Sequence, residues 1–260
     1  MVRHLRTRTI KYKGNPLVYR SGGAGRGPVL VFIHGAGGDS RHFHFQMTEF
    51  YRDRRIIVPD LPGHGKSRCD YLPTLEDYAG SIEKICEAEG IDEIIPGGHS
   101  MGGAVALELF RRGIISIRAF IFISTGATLP VSPEILDLVM NDFNSFTEFI
   151  IRFTYGKSAP PAMKEMSRRE LAAIGAAVME NDFRICAGVD GRDLLNRIAV
   201  PTIIITNERD RMVPPGVVGE LHEGIAGSDL IVHTGDSHVP HLMSPDLVNA
   251  DIKTFLYGIT

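Results

Sequence analysis

Gly98-His-Ser-Met-Gly102, running straight into Gly103-Ala104, decides how the rest of this chain is read. The apolar pair Ile94-Ile95 ahead of it reads as a strand. Residues 101–112 behind it are apolar around most of a helical circumference, except Glu108, Arg111 and Arg112, and Gly113 supplies a stop. A serine at a sharp strand-to-helix turn carries strained dihedrals and tolerates only small residues two positions away. Gly98 and Gly102 meet that need, while Gly103 and Ala104 let the helix lie close to the sheet. The serine oxygen then stands clear at a helix N-terminus, where developing negative charge is favoured. The bland alternative is a glycine-rich turn with an idle serine; the flanking strand and helix favour the nucleophile.

Working outward, Val29-Leu-Val-Phe-Ile33 is a continuous apolar run, as expected of a strand covered on both faces. Residues 56–58, 119–123, 202–205 and 230–232 look alike. Residues 7–12 and 17–19 flank Gly14-Asn15-Pro16 and predict an antiparallel hairpin, with a glycine-rich loop at 21–27 after it. Thr74-Leu-Glu-Asp77 is a capping-box start, followed by Leu75, Tyr78, Ala79, Ile82, Ile85 and Cys86 at helical spacing and by Gly90 as a stop. Ser244-Pro-Asp246 is expected to cap a last helix whose buried stripe is Val248, Ile252, Phe255 and Leu256. Strand alternating with helix predicts an α/β fold with a mostly parallel sheet and right-handed crossovers. The alternation stops after Ser124, and residues 129–196 are helical only. The expectation is a core of residues 1–128 and 197–260, with a helical cap of residues 129–196 inserted after the sixth strand as a lid over the strand ends.

The 260 residues, 43% hydrophobic and 23% charged, describe an ordinary globular chain that needs no disulfide or metal staple. A formal charge of −3, with Lys and Arg spread along the chain, argues against nucleic acid as a partner. Cys69, Cys86 and Cys186 are scattered and odd in number, which suits a reducing cytosol and excludes a disulfide scaffold or cysteine zinc site. The N-terminal Met1-Val-Arg-His-Leu-Arg-Thr-Arg8 is basic without the apolar stretch of a signal peptide, and no apolar run is long enough for a membrane span. A cytoplasmic location is expected.

Five segments together resemble the α/β-hydrolase superfamily, in its serine-nucleophile, esterase and enol-lactonase-like branch: Phe32-Ile-His-Gly-Ala-Gly37, Asp60-Leu-Pro-Gly-His-Gly-Lys-Ser67, Gly98-His-Ser-Met-Gly-Gly103, Val200-Pro-Thr-Ile-Ile-Ile-Thr-Asn-Glu-Arg-Asp210 and Gly235-Asp-Ser-His-Val-Pro240. The resemblance runs over nearly the whole chain outside the helical insert. It implies a chain order of nucleophile, acid, base. His4, His42 and His44 precede Ser100, and His34, His64 and His99 sit in turns where the family does not place its base. Of the remaining His222, His233, His238 and His241, the Ser-His-Val-Pro setting of His238 resembles the family's base, with His241 as runner-up. Asp210 is implied as the acid that orients it. Asn207 stands where the family commonly has glycine, and asparagine tolerates the same turn geometry. Glu208 and Asp236 compete for the role. The oxyanion donors are the Met101 N–H, which follows the nucleophile, and by resemblance the Ala36 N–H.

Other signals fail. Asp60 occupies the first-glycine position of a P-loop, residues 22–27 do not match G-x-G-x-x-G, and Pro240 keeps His238 and His241 off a common helix. No cofactor and no metal are expected. The partner is a small-molecule acyl substrate, with a carboxylic ester as the default and lactones or thioesters open; oligomeric state is not legible. The serine argues against dehalogenase and epoxide-hydrolase relatives, which use aspartate there, and the absence of tryptophan lowers the perhydrolase reading. Three alternatives stay open: carbon–carbon hydrolysis, a lyase or synthase using the same triad, and a receptor-like protein that binds without turnover.

Overall fold

The computed structural model describes residues 5–25 and 27–259. Of the N-terminal reading, Met1 to His4 therefore lie outside the described residues. Strands β1 (Arg6–Tyr12), β2 (Asn15–Gly22), β3 (Val29–Ile33), β4 (Ile56–Pro59), β5 (Glu93–His99), β6 (Ser116–Ile117), β7 (Phe120–Ile123), β8 (Thr202–Asn207) and β9 (Asp229–His233) form one sheet in the order β1-β2-β4-β3-β5-β7-β8-β9, with β6 pairing β5. β1 with β2 and β2 with β4 are antiparallel, and every other pair is parallel. This is the α/β-hydrolase arrangement that the five segments implied.

The central strands are buried on both sides, and β3 shows how. Its Val29, Val31 and Ile33 face one apolar cluster, while Leu30 and Phe32 face another. On the first side lie α2 (Leu75–Glu89), α3 (Met101–Arg112), the short α8 (Arg192–Leu195) and α9 (Pro215–Gly224). On the second lie α1 (His44–Phe50) and α11 (Pro245–Gly258), with the short α10 (Pro240–Met243) just before it. The capping box at α2 forms as expected, with Thr74 Oγ1 accepting from the Asp77 N–H and Asp77 accepting from the Thr74 N–H. Gly90 ends that helix in the left-handed conformation.

Three local expectations need correction. The hairpin turns at Lys13-Gly14, both at positive φ, so Asn15 and Pro16 belong to β2 rather than to the turn. Two residues with φ > 0 match the twist of the flanking strands. Ser244 stands at the start of α11 but its side chain makes no cap bond; Pro245, which has no N–H to satisfy, opens the helix. The helical insertion follows the seventh strand rather than the sixth, because Ser116–Ile117 pairs with Glu93 and Ile94 as a two-residue strand too short and too polar to leave a periodic signal.

Between β7 and β8 run α4 (Pro133–Asn141), α5 (Phe143–Tyr155), α6 (Pro161–Ile174), α7 (Ala176–Gly188) and α8. Phe146, Ile150, Leu171, Met179 and Phe183 from α5, α6 and α7 form an apolar cluster of their own, which Val239 from the β9–α10 loop joins. Leu194 and Leu195 of α8 pack instead with the sheet.

Candidate active site

Ser100 sits between β5 and α3 at φ 52°, ψ −121°, a conformation L-residues rarely adopt. The surrounding contacts explain why only glycine serves on either side. A Cβ at Gly98 would overlap the Gly102 carbonyl, one at Gly102 would overlap the Ile33 carbonyl, and one at Gly103 would overlap the Thr125 side chain. The elbow is held from the neighbouring strand end: Ser100 N–H donates to Ile123 O at 3.0 Å, and Thr125 Oγ1 donates to Ser100 O at 2.8 Å. Thr125 carried no signal in the sequence, because its role is a contact with a distant turn.

His238 and Asp210 are brought together. His238 Nδ1 lies 2.8 Å from Asp210 Oδ2, and both side chains are buried. Asp210 Oδ1 accepts from the Met212 and Val213 amides at 2.8 and 3.1 Å, which fixes the carboxylate and leaves Oδ2 for the imidazole. The carboxylate therefore accepts from Nδ1–H, which keeps the proton on Nδ1 and leaves Nε2 as the free basic nitrogen. Ser100 and His238 line the same cavity, although among the described residues no hydrogen bond joins the Ser100 hydroxyl to His238. Such bonds are often long before substrate binds.

The competing acids are occupied elsewhere. Glu208 pairs with Arg209, and Asp236 accepts from the Lys157 amide. His241 is wholly buried, stacks on Phe43, and has no hydrogen-bond partner on either ring nitrogen among the described residues. Burial, and then the neighbouring His42 and His238, push its pKa well below the ordinary imidazole value. His99 Nε2–H donates to the His238 carbonyl at 2.9 Å. Its own pKa falls for similar reasons: burial first, then His241 and His238.

The His238 loop is also tied to the insertion. His238 N–H donates to the Thr154 carbonyl of α5 at 2.7 Å, and Ser237 Oγ donates to the same oxygen at 3.1 Å. Asn207, the departure from the family's glycine, donates its side-chain amide to Ser237 O at 2.7 Å.

The glycine loop after β3 is positioned by a buried charge pair. Asp182 of α7 accepts from Gly37 N–H at 2.8 Å, from the Tyr78 hydroxyl at 2.6 Å and from His64 Nε2 at 2.8 Å. His64 Nδ1 faces Pro62 O at 3.1 Å. Both of its partners only accept, so both ring nitrogens carry protons and the ring is an imidazolium. Burial opposes that charge, but Asp182 outweighs it and raises the His64 pKa. The Asp182 carboxyl is held below its ordinary value despite burial, by His64, Tyr78 and the Gly37 amide. His34 is the neutral neighbour: burial and then His64 lower its pKa, and its Nε2 accepts from the Leu61 N–H at 3.1 Å. With Gly37 N–H committed to Asp182, the amides of Ala36 and Met101 have no protein acceptor among the described residues. Ala36 lines the cavity beside Ser100.

That cavity holds about 290 Å³ between the strand ends and the insertion. Leu129, Ile135, Phe149, Ile150, Met179 and Phe183 supply an apolar wall, and Arg211 supplies a charge. Among the described residues no three His, Cys, Asp or Glu side chains converge as metal ligands, and no helix is long and apolar enough to cross a membrane.

A family model described as "Alpha/beta hydrolase family" matches residues 30–251. The chain is 23% identical over 250 residues to the pimeloyl-(acyl-carrier protein) methyl ester esterase of Vibrio atlanticus (strain LGP32), covering 89% of this chain and 95% of that protein. It is 27% identical over 256 residues to the magnesium-chelatase 30 kDa subunit of Rhodobacter capsulatus, covering 91% and 89%. Among solved structures, a thermophilic esterase superposes with a TM-score of 0.84 at 26% identity over 98% of each chain.

Proposed function

This chain belongs to the alpha/beta hydrolase family and is a hydrolase, and on that premise we propose that it cleaves a carboxylic ester, or a related lactone or thioester, through an acyl-enzyme on Ser100. His238 Nε2 takes the Ser100 proton as the oxygen attacks the carbonyl carbon, then returns it to the departing alkoxide or thiolate. Asp210 keeps His238 in the tautomer this needs and stabilises the imidazolium that forms. The Ala36 and Met101 amides receive the oxyanion; one such donor contributes about 3–4 kcal/mol to the transition state. Water, deprotonated by the same imidazole, attacks the acyl carbon, and the imidazolium returns that proton to Ser100 Oγ as the acid is released. Residues 129–196 act as a cap whose inner face shapes the acyl pocket. The three free thiols fit a cytoplasmic setting.

The single observation that carries this reading is the Asp210–His238 pair, buried against the cavity that Ser100 enters at strained dihedrals. A fluorophosphonate probe together with a panel of esters, lactones and thioesters tests it. The expected result is one label on Ser100 and a burst of leaving group, both absent in Ser100→Ala. Failure to label Ser100 overturns the nucleophile. One relative is named as a magnesium-chelatase subunit and not as an esterase, which keeps a second reading in view, binding without ester turnover; labelling with no substrate of the panel consumed points to it.

A further inference from the structure

The cavity is apolar on nearly all sides, as a neutral acyl chain would want, yet one lining residue departs from that chemistry. Arg211 is the only lysine or arginine among the described residues that lines it. Its guanidinium carbon stands 4.3 Å from the centroid of the Phe153 ring, and Phe153 stacks in turn on Phe149 at 4.3 Å. The ring face holds the cation in place, and the guanidinium N–H groups remain available to a ligand. No ion pair or hydrogen bond takes them among the described residues. The acids in the adjoining loops are engaged: Glu208 by Arg209, Asp210 by His238 and two amides, Asp236 by the Lys157 amide. A second guanidinium, that of Arg152, lies 5.9 Å from the same ring and adds positive potential at this end.

Resting on the ester-cleaving reading of this site, we infer that Arg211 selects substrates whose acid half carries a free carboxylate remote from the reacting carbonyl. The planar fork matches a carboxylate through two parallel hydrogen bonds, and the apolar walls accommodate a methylene spacer between the two groups. Arg211 is exposed, so a carboxylate on it keeps part of its hydration and the desolvation cost stays small. Half-esters of straight-chain dicarboxylic acids have this chemistry.

The test compares kcat/KM for methyl half-esters of dicarboxylic acids of increasing length with methyl esters of the matching monocarboxylic acids. The wild type is expected to prefer the half-ester at one chain length. Arg211→Gln should lower that preference ratio about tenfold, mainly through the half-ester's KM, and Arg211→Lys should restore part of it. A ratio that Arg211→Gln leaves unchanged, or no preference in the wild type, overturns the inference while leaving ester hydrolysis intact. If neither series is consumed, the ester reading fails on its own. Arg211 is then judged by calorimetric binding of the non-hydrolysable monomethylamide of the same diacid, which Arg211→Gln should weaken about tenfold; equal binding overturns the inference.

Discussion

Ser100 occupies a backbone region that costs a residue with a Cβ about 1–3 kcal/mol, and the glycines around it exist to permit that conformation. Two substitutions separate strain from chemistry. Ser100→Ala keeps the Cβ and the strain; Ser100→Gly removes both along with the hydroxyl. Thermal denaturation should find Ser100→Gly at least as stable as Ser100→Ala, even though glycine costs about 0.5–1 kcal/mol in chain entropy. The reverse order would mean the turn is unstrained. For turnover, Ser100→Ala and His238→Ala should fall to a similar residual rate, because members of such a unit are not additive. A His238→Ala enzyme keeping a tenth of wild-type kcat/KM would remove residue 238 from the base role. At this scale the sequence was informative wherever a residue's constraint is local. Gly98, Gly102 and Gly103 announce a crowded turn by their spacing, whereas Thr125 acts through one side-chain contact to distant backbone and Thr154 only through its own carbonyl, so both look like any other threonine.

The elements near the cavity are joined by His64 and Asp182, which lie 118 residues apart and are both fully buried. Capping residues at α2 were legible because a helix start constrains its own first turn. Asp182 was not, because an acid on a helix gives no hint of the loop it will meet. The pair links α7 to the Asp60–Ser67 segment and, through Gly37, to the loop that carries Ala36. Removing one partner of such a buried pair costs roughly 3–5 kcal/mol, and Asp182→Asn should show that loss in denaturant unfolding near pH 6. Its pH dependence follows from the directions of the two shifts. His64 titrates higher in the folded state, so its contribution is complete below the unfolded value of about 6.5 and fades as pH rises through the folded value. Asp182 titrates lower when folded, so its contribution is complete above about 3.9 and fades as acid drives pH through the folded value. The stability gap between wild type and Asp182→Asn should therefore be widest between about pH 4 and 6.5 and narrow toward pH 9. A gap constant across that range would show His64 to be neutral in the native protein.

On the scale of the whole molecule, the mostly parallel sheet was predictable because alternating strands and helices leave few topologies. How the insertion meets the sheet was not, since periodicity gives a helix its apolar face but not its partner. The contacts tie the helices closely to the β9–α10 loop. Thr154 O receives the His238 amide and the Ser237 hydroxyl, and the Lys157 amide donates to Asp236 at 3.1 Å. Gly156 between them holds φ 68°, ψ −166°, and a Cβ there would overlap the Asp236 carboxylate. Backbone contacts thus join α5 to the loop of the proposed base, and residues of α5 also line the cavity. Gly156→Ala tests this coupling from a position with no side chain in the site. Positive φ and the lost space should cost about 1–3 kcal/mol of stability. If α5 positions His238, the same change should slow fluorophosphonate labelling of Ser100 and lower kcat more than it raises KM, at temperatures where the variant remains folded by circular dichroism. A folded Gly156→Ala protein that labels at the wild-type rate would show the base loop holding its geometry without the insertion, and the two parts would then be coupled only through the cavity walls.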